Sequence, residues 1–413
     1  MTNKPRRLYK KLSAYPKPLF EVVEGGNYYR DDDIRSINIS NGKAEPGGGI
    51  QPATMTVDLD SDAFANTGNN TAARLTSAFA NRLASDLSVD AAVIRPRFTG
   101  RLGPMMIHDE PRNMWAQLNA ASWLAVPTTA PTKHNIPSGT SIPGAIKTLI
   151  QPNYLRSKIP DPIIHGGTDY LTESFPEATY GSDAAKFTAD IGVLLRPNRD
   201  GSLHLLTMPY RRDHALSQIN GTTAIGRRHA LAPAEWNQPY DLPGDEFRVV
   251  FTADDGRVVT QTTSPTGEPT GTALVRDLDW SYVRFYTEQW RHMYALRAQS
   301  IDWAFSVNEL TFDMLQLITS PVEWDRRVAG LLLTLEAGGH VYLGGDWPIR
   351  VQGTYFAEGI DETITGDEWT IKLSLAPFYH VVGNRAPDVP MTYWDQARGV
   401  WDDYPISEHW DDY

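Results

Sequence analysis

The chain has 413 residues, enough for two to four domains of about 150 residues each. Hydrophobic residues at 41% and charged residues at 21% are an ordinary globular balance, which excludes disorder over most of the length. A formal net charge of −12 argues against nucleic-acid binding by the whole chain, and the lack of cysteine excludes disulfide scaffolds, zinc ribbons, thiol nucleophiles and iron–sulfur clusters.

The charge is uneven. Lys4, Arg6, Arg7, Lys10, Lys11 and Lys17 precede the first acid, Glu21, whereas the last residues carry Asp388, Asp395, Asp402, Asp403, Glu408, Asp411 and Asp412 against Arg398. Two solvated tails explain this, and so do two ends that dock on neighbours of opposite charge. No apolar core of a signal peptide and no run of about 18 apolar residues is present, so a soluble protein assembled in a cytoplasm is expected. The 29 prolines, 32 glycines and 12 tryptophans favour short strands, turns and aromatic anchors.

In chain order, Ile34 to Ser40 and Thr54 to Leu59 read as strands, with a glycine-rich loop at Pro46 to Gly49 between them. Ala72, Leu75, Phe79, Leu83 and Leu87 form one stripe of an amphipathic helix over Thr71 to Leu87, with Asn70 as N-cap. Strands follow at Val93 to Arg101 and Met105 to His108. A short helix is expected over Arg112 to Leu124, carrying Trp115, Leu118, Ser122 and Trp123. Pro127 to Pro162 is rich in proline, threonine and serine, with Ile146 to Tyr154 as its ordered insert.

A hairpin pairs Ile191 to Leu195 with Leu203 to Thr207 around Asn198-Arg199-Asp200-Gly201. A second joins Phe247, Val249 and Phe251 to Val258-Val259-Thr260 through Asp254-Asp255-Gly256. Tyr282 to Gln299 reads as a helix. From Arg327 to Phe378 the pattern is an antiparallel β-unit. Leu331, Leu333 and Leu335 alternate, Gly338-Gly339 turns into His340 to Leu343, and Gly344-Gly345-Asp346 turns into Ile349 to Gln352. Trp369, Ile371, Leu373 and Leu375 then alternate against Thr370, Lys372 and Ser374. Beyond Gly383 regularity stops, and Trp401-Asp402-Asp403-Tyr404 repeats as Trp410-Asp411-Asp412-Tyr413, with Trp394-Asp395 as a weaker copy. Indole beside carboxylate suits docking into a partner's groove, so Trp394, Trp401, Tyr404, Trp410 and Tyr413 are the candidate partner-binding residues. A tail wrapping its own domain is the other reading.

Reactive constellations are scarce. There is no zinc-protease, nucleophile-elbow, phosphate-loop or dinucleotide fingerprint. Asp58, Asp60 and Asp62 have calcium-loop spacing, but Ala63 and Asn69 stand where glycine and a closing glutamate belong, so a solvated strand end is preferred. His165-Gly166-Gly167 with Asp161 and Asp169 reads as a turn. Glu358, Asp361, Glu362, Asp367 and Glu368 are expected as solvated charges, although sequence alone leaves a glycosidase pair open. No catalytic residue, metal ligand or cofactor is assigned, and the protein is read as not an enzyme.

The order of pieces carries a resemblance. Ile94 to Arg101 (Ile-Arg-Pro-Arg-Phe-Thr-Gly-Arg), followed by Ala121-Ser122-Trp123-Leu124-Ala125, resembles the first barrel domain of baseplate or tail-tip hub proteins, the minor tail proteins of long-tailed phages of actinobacteria. An FxGR strand and an A-x-D-W-L-A-like helix recur there, and Ser122 replaces the commoner aspartate. Ala184 to Met208, with its Asp200-Gly201 turn, resembles a hub hairpin. Val351-Gln352-Gly353, Glu358-Gly359-Ile360, Trp369 and Leu373-Ser374-Leu375-Ala376-Pro377 are similar to the closing hub barrel, and the Trp/Asp terminus to tails of that group.

The resemblance covers about half the chain and implies a mainly β, α+β fold with two β-barrel-like hub domains. Residues 1–128 would form the first, with an inserted helix; 129–240 a peripheral α+β insertion; 241–385 the second; and 386–413 an extended tail. It implies a virion structural protein at the tail tip, a homotrimer whose six near-equivalent barrels adapt a six-fold tube to a three-fold tip. Its partners would be distal tail or tail tube proteins, tip, fibre or spike proteins, and the tape measure protein, with no sequence-specific nucleic acid and no membrane segment. Two alternatives are a six-fold distal tail adaptor ring and a carbohydrate-binding module or glycan hydrolase.

Overall fold

Side chains alternating between a dry and a wet face build the central strands among the described residues. The computed structural model describes residues 17–22, 27–29, 34–42, 49–50, 52–59, 72–78, 95–110, 113–125, 131–150, 161–166, 175–180, 188, 193–207, 210–211, 214–215, 223–231, 236–237, 246–252, 258–263, 275–279, 306–348, 351–365 and 368–377. The expected helix at Tyr282 to Gln299 and the tail over 386–413 lie outside them.

The first strands are β1 (Lys17–Val22), β2 (Asn27–Tyr29), β3 (Ile34–Asn41), β4 (Gly49–Ile50), β5 (Ala53–Leu59), β6 (Ala72–Ala78), β7 (Arg95–Glu110) and β8 (Asn113–Ala121). Next come β9 (Pro131–Ile136), α1 (Ile142–Ile150), β10 (Ile163–His165), β11 (Phe175–Tyr180), β12 (Leu194–Pro197), β13 (Leu203–Leu206), β14 (Ala224–Ile225) and β15 (Trp236–Asn237). The last third holds β16 (Glu246–Thr252), β17 (Val258–Thr263), β18 (Val275–Asp279), β19 (Ser306–Val307) and β20 (Glu309–Asp313). It ends with α2 (Met314–Thr319), α3 (Glu323–Thr334), β21 (His340–Leu343), β22 (Gly353–Thr365) and β23 (Trp369–Pro377).

Twelve strands form one sheet in the order β14-β21-β22-β3-β5-β8-β7-β6-β1-β2, with β23 and then β20 on the remaining edge of β22. Every pairing in it is antiparallel except β14 with β21. β22 is the hub of the topology. Its first residues pair with β21, its last with β3, and β23 runs along its other side. Residues 34–59 and 353–377, from opposite ends of the chain, therefore share one sheet and one apolar cluster. Ile37, Met55, Val57, Leu118, Phe312, Trp369 and Ile371 all belong to that cluster, as do Leu332 and Val328 of α3. The protein is mainly β with few helices, and no sheet closes into a barrel among the described residues.

Most strands lie where alternation puts them. β5 runs buried–exposed through Ala53, Met55, Val57 and Leu59, and β23 buries Trp369, Ile371, Leu373 and Leu375. Both expected hairpins are present, and Gly201 takes the positive φ (+88°) its turn needs.

Four expectations give way. Residues 72–78 form a strand between β7 and β1 rather than the first turns of a helix, because two antiparallel partners satisfy their backbone on both edges. Asn113 to Ala121 is also a strand. Ala116, Leu118 and Ala120 bury one face, while Trp115 lies half-buried on the other, stacked on His108 with ring centroids 3.8 Å apart. Ser122 ends that strand, its hydroxyl accepting from Ala53 N at 3.0 Å.

Leu331 and Leu333 lie not in a strand but in α3, where Val328, Ala329, Leu332 and Leu333 form the buried stripe; Leu335 follows as its C-terminal cap. Glu323 and Asp325 occupy its first turn, favourable to the helix dipole. Val351 and Gln352 lie in a turn from Pro348, so the strand expected over Ile349 to Gln352 begins only at Gly353. The insert expected from Ile146 is helix α1, which starts at Ile142.

The two readings of the leucine run separate by mutation. Leu332→Ala should cost about 2–5 kcal/mol in urea unfolding, whereas Leu331→Ala, at a half-buried position, should cost less than about half of that. A strand would reverse the ranking.

Candidate functional site

The most concentrated chemistry lies inside the molecule, where three chain segments converge on the C-terminus of α3. Arg97 of β7 and Glu362 of β22 are 0% and 3% exposed. Arg97 Nε donates to both Glu362 oxygens at 3.0 and 3.1 Å, and its Nη2 donates to Oε2. Trp369 Nε1 donates to Glu362 Oε1 at 2.9 Å. The remaining Arg97 nitrogen donates to Leu333 O at 3.0 Å, a carbonyl that the helix end leaves without an intrahelical partner. Arg199, from the β12–β13 turn, donates to the same oxygen at 2.5 Å. Two guanidinium groups from distant segments thus meet the negative end of α3.

In sheet order, β3, β5 and β8 lie between β22 and β7. Four steps of about 4.8 Å would put the two strands roughly 19 Å apart in a flat sheet, beyond the joint reach of the two side chains. The sheet therefore curls until β7 faces β22 across its interior. The hairpin docks on the same place: Thr99 Oγ1 donates to Arg199 O at 3.0 Å, and a Cβ on Gly201 would stand 2.8 Å from Thr99 Cγ2. A second buried pair joins Arg211 to Glu358, with the guanidinium 4.4 Å over the Phe356 ring.

Beside this seam runs a stack of imidazoles. His165 Nε2 and His204 Nδ1 are hydrogen-bonded at 2.8 Å, and the stack continues through Tyr210 and His214 to His340. Burial, then the Arg196 charge, then His165 lower the His204 pKa to about 4. Burial and then His214 lower His340 to about 4, and burial and then Arg196 lower His165. His204 and His340 are therefore neutral at pH 7.

Glu358 and Glu362, expected as solvated charges, are instead buried and held by arginines, an arrangement that fastens rather than transfers protons. Asp361 and Glu368 are exposed, and Asp367 lies outside the described residues. A signal for Glu362 exists: it shares parity with Ile360 and Ile364 on the buried face. Arg97 gave none, because it is the extra residue of a bulge, Phe98 pairing with Leu75 and Pro96 with Thr76.

His165 is brought to His204 rather than to Asp161, which pairs with Lys147 at 2.8 Å; Asp169 is not described. Asp58 accepts from Ser36 at 2.5 Å and Gln117 at 3.1 Å, while Asp60 and Asp62 lie outside the described residues. So do Trp394, Trp401, Tyr404, Trp410 and Tyr413. Among the described residues no group of three or more His, Asp or Glu is placed to hold a metal, and no helix is long and apolar enough to cross a membrane.

No family of known proteins matches the sequence, and no curated protein matches it. Solved structures do match in fold. The 43 kDa tail protein of prophage MuSo2 from Shewanella oneidensis superposes with a TM-score of 0.56 at 9% identity, over 89% of this chain and 99% of that one. The tail protein from Neisseria meningitidis MC58 gives 0.55 at 11% identity, over 87% and 96%. The chain therefore shares the fold of these tail proteins along nearly its whole described length.

Removing Arg97 strands a buried carboxylate. Arg97→Met should cost about 3–5 kcal/mol in urea unfolding, and Arg97→Met combined with Glu362→Leu should regain much of it. For His165, His204 and His340 the unfolded pKa is about 6.5 and the folded one lower, so protons bind preferentially to the unfolded chain. Their stabilisation is complete above pH 6.5 and is lost as pH falls towards about 4. Thermal midpoints across that window should fall in the wild type and fall less in a His204→Gln/His340→Gln variant.

Proposed function

We propose that the chain is a structural protein of a phage tail, a hub at the tail tip that assembles as a homotrimer and joins the six-fold tube to a three-fold tip. The observation that carries this reading is the fold shared over 89% and 87% of the chain with two tail proteins, each matched over more than nine-tenths of its own length. The order of hub-like segments at Ile94 to Val126, Ala184 to Met208 and Gly344 to Phe378 supports the hub over other tail roles.

The curled sheet supports the barrel-like part of the reading. Its N-terminal strands and the strands before Gly383 would supply the two near-equivalent ring units of each chain. Met106 and Ile107, 46% and 60% exposed on the long β7–β8 hairpin, suit burial against a neighbouring subunit. Trp394, Trp401, Tyr404, Trp410 and Tyr413 would anchor the terminal segment on an adjoining fibre, spike or tube protein.

Native mass spectrometry of the purified chain and subunit counting in images of tails test this together. Three copies per tail tip are expected. Six copies would make it an adaptor ring, and a monomer absent from tails would end the tail reading.

A further inference from the structure

Among the described residues, the seam contains more positive charge than its acids neutralise. Arg97, Arg196, Arg199 and Arg211 are all buried. Against them stand Glu362, bound by Arg97, Glu358, bound by Arg211, and the half-buried Glu336, which faces Arg196 and Arg199. Among the described residues, four guanidinium groups meet three carboxylates. Burial lowers Arg196 and Arg199 only to about 10, so both are charged at neutral pH.

The donors are in excess too. Nε and Nη1 of Arg196, Nε and Nη2 of Arg199, and Nε and Nη1 of Arg211 are buried without a hydrogen-bond partner. Native interiors rarely leave such groups unsatisfied, and an unpaired buried charge is the costliest case. Water would satisfy the N–H groups but leave the charge. A small oxyanion answers both needs, since guanidinium forks match its oxygens and it carries the missing negative charge.

One detail narrows the anion. Glu358 Oε2 is also buried without a partner, on the carboxylate that faces Arg196 and binds Arg211. A fully deprotonated anion would be repelled there, whereas one that retains an acidic hydroxyl can donate to it. We propose that Arg196, Arg199 and Arg211, with Glu358 as acceptor, form an internal binding site for protonated inorganic phosphate beneath the β12–β13 hairpin. Nothing in the tail-hub reading requires this site.

The test uses the full chain at pH 6.5 and constant ionic strength. Equilibrium dialysis with radiolabelled inorganic phosphate should show one saturable site per chain, and thermal midpoints should rise with phosphate. Sulfate, without a proton to donate, should bind at least about threefold more weakly. Arg196→Met should weaken phosphate binding about tenfold or more, while its midpoint in chloride alone stays at or above that of the wild type, because an unpaired buried charge has been removed. Should Arg196→Met fail to fold, dialysis of the wild type decides alone. No saturable phosphate binding by the wild type overturns the proposal, as does binding unchanged in a folded Arg196→Met protein or sulfate bound as tightly as phosphate.

Discussion

A charge taken out of water must meet its opposite, and in this molecule that requirement falls on Arg97 and Glu362. Neither is exposed, and the strands that carry them are separated by three others in the sheet. Pairing them is possible only if the sheet bends over on itself. The interior so enclosed is lined by Phe98, Trp369 and the apolar stripe of α3, which exclude water and raise the cost of losing either partner. Curvature, core and ion pair are thus mutually dependent: apolar burial supplies the energy, and the pair selects which curved arrangement is compatible with it.

The bend is assisted by bulges. Arg97 is the unpaired residue where β6 meets β7, Glu358 where β22 meets β23, and Arg35 where β3 meets β5. Each inserts one extra residue, increases the local twist and redirects a side chain. Two of the three redirected groups, Arg97 and Glu358, enter the interior as members of buried ion pairs, and the third lies over the Trp115 ring at 5.4 Å. Bulge and charge occur together because a side chain re-aimed inward needs a fixed partner, and that partner then holds the bulge in register.

This coupling explains what could be read in the primary structure. β5, β23 and both hairpins were legible because one face of each is apolar, or a glycine with positive φ marks the turn. β8 misled because its buried face is Ala116, Leu118 and Ala120, too small to stand out beside Trp115, which lies on the other side. The leucines of α3 misled because Leu331 and Leu333 alternate by coincidence, while the helical rows run Val328–Leu332 and Ala329–Leu333. The buried arginines were illegible for a different reason. Arg97 breaks the period of two by being a bulge, and Arg199 sits in a turn whose depth depends on the curl of a sheet built elsewhere in the chain. Glu362 was accessible to parity, but acids flanked by turn residues read more naturally as solvated.

The shared core bears on how such a chain would work in a ring. Were residues 34–59 and 353–377 two separate bodies, a flexible connection would let them adopt any relative angle. They are instead neighbours in one sheet through β3 and β22 and packed on one cluster, with β7 fastened to β22 beside it by Arg97 and Glu362. Arg199 adds the β12–β13 hairpin to the same fastening, so that hairpin is held against the C-terminus of α3. In the proposed trimer, two contact units per chain would have to keep one relative angle inside the subunit, because no symmetry operation would set it. A dry ion pair with bidentate geometry, satisfied by an indole and a helix carbonyl, suits that task better than apolar packing alone, since a register slip would leave both charges unpaired.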